Sequence, residues 1–373
     1  MKQLNIPLVL VLVVGSLVAV VGVHFLHDYQ ESRSAERVLE RAEKAAVAGN
    51  VDEQLFLLRR YLRHRPDDLQ NLKKLLELSR QRLFTSENAN YLELSMLLGS
   101  LEKAIRDHPE DAELRRQGYL FSAGIGRYGD ALDHLAQLKS MPGQMTVEDR
   151  LVMARCLWRN GASREAMEEL GQLTGFDLSS KTFDDAKAAA PAEIDAYAML
   201  ALIYIREVSK DNDLTIPTMI VNKAIERNPE SVSAYLRRAS FYQENMPGKE
   251  GKEKSLADIR KALELAPDDP MVILAAASTA MTVGDVTWAR QLADEGLVKH
   301  PDSPEMFAKR AEVARAENQV EKALDFIRQG LEKNQLNREL MYRRASYQID
   351  LGQMSEAETT IERLGSNFDP FRV

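Results

Sequence analysis

Residues 267–301, PDDPMVILAAASTAMTVGDVTWARQLADEGLVKHP, hold two apolar-periodic runs parted by Gly284 and closed by Pro301. Glycine allows a tight turn between two helices, and proline, with a fixed φ and no amide hydrogen, stops the second helix. Pro267 and Pro301 stand 34 residues apart, and between them Ala277, Gly284 and Ala289 occupy positions 8, 15 and 20 of a unit that begins at Pro270. The spacing continues in Ala311, Ala323 and Gly330 at positions 8, 20 and 27, then in Ala345, Gly352 and Ala357 at positions 8, 15 and 20. Upstream, Pro66, Pro109 and Pro229 end helical runs in similar phrases, such as Arg-His-Arg-Pro-Asp-Asp and Glu-Arg-Asn-Pro-Glu-Ser. A fixed period of this length marks a stack of helix–turn–helix units, each too small to bury its apolar face alone.

The pattern resembles the tetratricopeptide repeat family. The resemblance implies an all-α solenoid, a right-handed superhelix of helix pairs in which helix A of each pair lines an inner, concave surface. Small residues at positions 8, 20 and 27 let helices A and B approach closely. About nine units are expected, at roughly 35–68, 69–111, 112–146, 147–180, 194–231, 232–269, 270–303, 304–337 and 338–371, within an array covering 35–373. Gln54 takes the small position 20 of the first unit, Gln335 replaces the stop proline of the eighth, and the second, fifth and sixth units carry insertions. The segment 174–193 reads as a short extra helix or a hinge between sub-arrays. Tyr197, Tyr235 and Phe307 at position 4, and Phe121, Tyr204 and Tyr242 at position 11, are expected to be packing residues and not a base-stacking platform.

Composition agrees with a helical chain. Of 373 residues, 49 are Lys or Arg and 57 Asp or Glu, a net charge of −8, and 45% are hydrophobic. That balance excludes a disordered tail and a general polyanion binder, so no nucleic-acid partner is expected. Only 19 glycines and 13 prolines interrupt helices. The lone cysteine, Cys156, excludes an intramolecular disulfide or a cysteine metal site, and the six histidines never cluster at ligand spacing.

Ahead of the repeats, Leu8 to Leu26 form a nineteen-residue apolar run in which His24 is the only titratable group. At 1.5 Å per residue the run is about 28 Å long, enough for a bilayer core of ~30 Å. It lacks a small-x-small cleavage site, so the expectation is an uncleaved single-pass transmembrane anchor over 8–26, with a tail over 1–7 and a juxtamembrane linker over 27–34. Arg33, Arg37 and Arg41 favour a cytoplasmic array by charge count, while a short N-terminal tail before a long domain favours an extracytoplasmic, periplasmic one; the latter is preferred.

Basic residues recur early in helix A: Lys73, Lys74, Arg115, Arg116, Arg237, Arg238, Lys309, Arg310, Arg343 and Arg344 lie near positions 5 to 7. The resemblance implies that positions 2, 5, 9 and 12 face a bound peptide. The stripe is therefore either a solvated face paired with Glu or a groove for an acidic segment. The family's lysine-5, asparagine-9 carboxylate clamp is absent, because position 9 holds Glu77, Tyr119, Glu312 and Ser346 in the corresponding units. A second cluster, Arg59, Arg60, Arg63 and Arg65, suits either anionic lipid headgroups or ordinary solvation.

No catalytic motif appears. Gly124-Ile-Gly126-Arg-Tyr-Gly129 matches a dinucleotide-binding string but joins two helices where the motif needs a strand before it, and Gly248–Lys252 lacks phosphate-loop spacing. Neither a cofactor nor a metal is expected. The reading is a membrane-anchored scaffold or adaptor that binds protein or peptide partners, similar in plan to bacterial repeat proteins of envelope assembly, secretion or quality control. The alternatives are an enzyme subunit with a site of dispersed carboxylates and a structural protein that self-associates through the repeat at Glu339–Val373.

Overall fold

A computed structural model describes residues 33, 35–85, 91–210 and 213–368. Among them are eighteen α-helices: α1 (35–47), α2 (Val51–His64), α3 (Leu69–Thr85), α4 (Tyr91–Asp107), α5 (Ala112–Gly124), α6 (Tyr128–Ser140), α7 (Val147–Arg159), α8 (Ser163–Thr174), α9 (Ile194–Glu207), α10 (Thr215–Arg227), α11 (Val232–Asn245), α12 (Lys249–Leu265), α13 (Pro270–Val283), α14 (Val286–Lys299), α15 (Pro304–Ala316), α16 (Val320–Lys333), α17 (Arg338–Asp350) and α18 (Met354–Phe368). They form nine consecutive pairs, each an odd-numbered helix A and an even-numbered helix B. Two compact units divide between Met145 and Thr146, so α1 to α6 belong to the first and α7 to α18 to the second.

Local chemistry sets the period. In the second unit the helix A caps Ser231, Asp269, Ser303 and Asn337 each accept a backbone N–H from the first turn, which satisfies donors that an open helix end leaves unpaired. The last three stand 34 residues apart, and Pro270 and Pro304 occupy the first helical turn, where a missing N–H costs nothing. Within pairs, Gly284 turns at φ +89. Asn318 makes the equivalent turn at φ +60, since asparagine tolerates the left-handed region better than most residues.

Close packing explains the small residues. Ala277, Ala289, Ala311 and Ala323 are fully buried. A Cβ at Gly296 would stand 2.6 Å from Met306 Sδ, and one at Gly330 would stand 2.9 Å from both Leu340 Cδ1 and Phe307 Cβ, so at these two positions three helices meet over bare backbone. Polar staples repeat with the same register. Lys299 Nζ donates to Pro267 O at 2.9 Å and Asn334 Nδ2 to Asp302 O at 3.1 Å, each tying the end of one helix B to the turn one unit earlier. Of the six aromatics expected to pack, Phe121, Tyr197, Tyr204, Tyr242 and Phe307 are buried and Tyr235 is half-buried.

Over 174–193, where a short helix or hinge is expected, the chain forms a hairpin. Strand β1 (Phe176–Asp177) pairs antiparallel with β2 (Thr182–Phe183), followed by a single 3-10 turn, Asp185–Lys187. Phe176 and Phe183 meet with ring centroids 5.1 Å apart. Arg227 of α10 reaches under the hairpin, donating to Thr174 O at 2.6 Å and stacking over the rings of Phe183 and Tyr197.

The anchor expected over 8–26 lies outside the described residues. No helix among the described residues is long and apolar enough to cross a membrane. Even α13, the most apolar, has only 14 residues, about 21 Å at 1.5 Å per residue against a hydrocarbon core of ~30 Å. The expectation of single-pass membrane placement with an extracytoplasmic array is corrected accordingly and is not carried further.

Candidate functional site: the helix A face of the second unit

Within the second unit, α9 packs against both α7 and α11, so the three helices A lie side by side. Between them opens a cleft of about 320 Å³, near the lower end of the roughly 300–1,000 Å³ usual for ligand pockets. Its floor is Met199 and Leu202 of α9 with Phe241 of α11 and Trp158 of α7. Ala198 and Ser240 are short side chains, and their size leaves the space open. Arg155 and Arg159 rim the α7 side; Glu244 stands on the α11 side.

The charged groups of the cleft differ in how far they are already engaged. Arg237 Nη2 lies 2.9 Å from Asp195 Oδ1, with both side chains more than half exposed. The Arg159 guanidinium stands 5.4 Å from the centre of the Trp158 ring, and the indole N–H donates to Glu207 at 3.1 Å. Arg155 is exposed, and among the described residues no carboxylate stands within ion-pairing distance of it. Beside it, burial pushes the Cys156 thiol up to about 11, so that group is an inert small hydrophobe at neutral pH.

The basic stripe is divided between the two units, and most of it is paired. In the first unit Lys73 bonds Asp111, Arg116 lies 3.7 Å from Glu113 and donates to Gln144 O, and Arg115 turns back to Pro109 O. Lys74 is exposed. In the second unit Lys309 meets Glu312 at 2.9 Å, and Arg343 lies between Glu339 at 2.6 Å and Glu312 at 3.7 Å. Arg238 and Arg310 leave the groove altogether: Arg238 forms a two-bond fork with buried Asp258, and Arg310 pairs with Asp294 while stacking 4.6 Å from the centre of the Phe326 ring. These two are structural links between helices. Carboxylates elsewhere are likewise matched to cations, as in Glu169 with Arg150 and Glu317 with Arg290.

On α2, Arg59, Arg60 and Arg63 are exposed, and with Phe56 they share one face, since the steps of three and four residues between them follow the helical turn. Arg65 lies beyond the helix as its C-cap.

Sequence reasoning missed Arg155 and Trp158. They occupy positions 9 and 12 of the fourth unit, Asp195, Ala198 and Leu202 occupy 2, 5 and 9 of the fifth, and Ser240 occupies 9 of the sixth. The positions that the family resemblance assigns to a bound peptide, applied unit by unit, locate the cleft; a search for lysine and arginine alone does not.

The repeat unit is thus two antiparallel helices with a 34-residue period in its regular copies, the arrangement that the tetratricopeptide resemblance implies. No family model matches the chain, and no curated protein matches it. Among solved structures it is similar to a tetratricopeptide repeat protein from Parabacteroides merdae (14% identity, TM-score 0.46, covering 84% of this chain and 99% of that one). It is also similar to yeast Tom70 (14%, 0.39, 90% and 85%) and to PilW, a type IV pilus biogenesis factor (18%, 0.41, 60% and 94%). At these identities and scores the likeness assigns neither partner nor activity, and the repeat is read from this chain's own helices.

Proposed function

We propose that this protein is a helical-repeat scaffold that holds a polypeptide segment of a partner protein across α7, α9 and α11. The observation that carries the reading is the cleft itself, which forms at the repeat positions that the family resemblance assigns to a bound peptide. Helices stacked on buried alanines give a surface ordered before binding, which lowers the entropic cost of ordering it at the moment of association. A floor of apolar side chains with separate charged groups at its rim is the usual make-up of a recognition pocket. The paired cations of the stripe, Lys73 and Arg116 in the first unit and Lys309 and Arg343 in the second, are half-buried and already engaged by carboxylates, and in this reading they take no part in holding the segment.

Photo-crosslinking tests the reading. With benzoylphenylalanine at position 244 of the full chain, exposed at the rim of the cleft, and a random twelve-residue peptide library, crosslinked peptide is expected at the cleft. The control is the same probe at Arg328, exposed on α16. Equal yields at the two positions would overturn the reading.

A further inference from the structure

Resting on that reading, we infer that the cleft of α7, α9 and α11 recognises a bulky apolar side chain adjoining a carboxylate, with the carboxylate lying toward α7. The apolar seat is formed by Met199, Leu202, Phe241 and the Trp158 ring, with Ala198 leaving room for one large side chain. Such a seat alone would accept any hydrophobic anchor; the rim selects among them. Asp195 and Arg237 satisfy each other. Arg159 is held over the Trp158 ring and the Trp158 N–H is taken by Glu207, while among the described residues neither Arg155 nor Arg159 has a carboxylate within ion-pairing distance, so the α7 side of the seat carries uncompensated positive charge. Across α9, Glu244 carries the opposite charge on the α11 side. A segment with an acidic residue at the α7 end of its anchor meets attraction there and keeps its charge away from Glu244; the reversed order sets carboxylate against carboxylate.

The chain has two tryptophans, so Trp288→Phe leaves Trp158 as the only indole reporter in the full-length protein. Four capped nonapeptides are titrated against its fluorescence, with Phe-Glu-Glu, Phe-Gln-Gln, Phe-Lys-Lys or Ala-Glu-Glu at the centre. The Phe-Glu-Glu peptide is expected to bind at least tenfold tighter than the other three and to weaken with added salt. Arg155→Glu, at an exposed position, is expected to remove that preference with helical circular dichroism unchanged, and Arg155→Gln to reduce it. If Phe-Gln-Gln or Phe-Lys-Lys binds as tightly as Phe-Glu-Glu, the inference fails while the scaffold reading stands. If no peptide alters the fluorescence and the probe at position 244 also captures none, both fail.

Discussion

Gly330 and Gly365 are both helical glycines, yet the same substitution should move stability in opposite directions. A methyl at 330 meets Leu340 Cδ1 and Phe307 at 2.9 Å, and both belong to packed helices; a methyl at 365 meets nothing within 4 Å. Gly330→Ala is expected to destabilise by about 1–3 kcal/mol through overpacking, and Gly365→Ala to stabilise by about 0.5–1 kcal/mol by restricting the unfolded backbone. Urea unfolding of the two variants checks the sign. Asp111 joins two roles, capping α5 through Glu113 and Leu114 N–H and pairing with Lys73. Burial opposes its charged form, but the bonds from Lys73, Leu114 and Glu113 outweigh burial and hold its carboxyl below the ordinary 3.8. Because the folded pKa is the lower one, its contribution is full above about 3.8 and is lost as pH falls through the folded value. Asp111→Ala should cost about 1–2 kcal/mol at neutral pH, and the gap to the parent should close in acid, measured as unfolding midpoints between pH 7 and pH 2. Gly330 was legible from position 27 of the period. The inward turn of Arg238 and Arg310 was not, because the spacing that puts a cation on helix A does not say whether a carboxylate waits on the neighbouring helix B.

At the scale of elements, the hairpin of β1 and β2 depends on one side chain fifty residues away. Arg227 bonds Asp185 and the Tyr197 hydroxyl as well as Thr174 O. Burial disfavours its charge, yet the bonds to Asp185 and Tyr197 prevail and raise its pKa. Two strands of two residues each cannot hold themselves in water. Arg227→Ala is therefore expected to cost about 1.5–3 kcal/mol and to expose the backbone of 176–187 to rapid hydrogen exchange while α9 stays protected. Unchanged exchange across the hairpin would show that Phe176 and Phe183 suffice. The segment was opaque in the sequence for the same reason: two-residue strands carry no usable periodicity, and their support is remote. The helix pairs, by contrast, announce themselves through caps, prolines and small residues that all lie within one 34-residue window. The cleft falls between these cases, since its positions are legible in each unit but its chemistry arises only when three units are set side by side.

At the scale of the whole molecule, helices contact mainly their neighbours in sequence, as α13 does α12 and α14, and α15 does α14 and α16. An array of this kind draws its stability from each pair and its adjacent pairs, with little dependence on distant segments. The second unit also opens with its own start signal: Thr146 caps α7 in a reciprocal capping box with Asp149, so two backbone N–H groups at this helix start are satisfied without an upstream residue. Residues 146–368 produced alone are therefore expected to fold cooperatively, with hydrogen-exchange protection of α13 to α16 matching that in the full chain. The cleft of α7, α9 and α11 lies wholly within this fragment, so peptide capture at position 244 should persist as well. Protection retained with capture lost would mean that binding draws on residues of the first unit. Loss of protection throughout α13 to α16 would show that stability is transmitted along the chain further than nearest-neighbour packing allows.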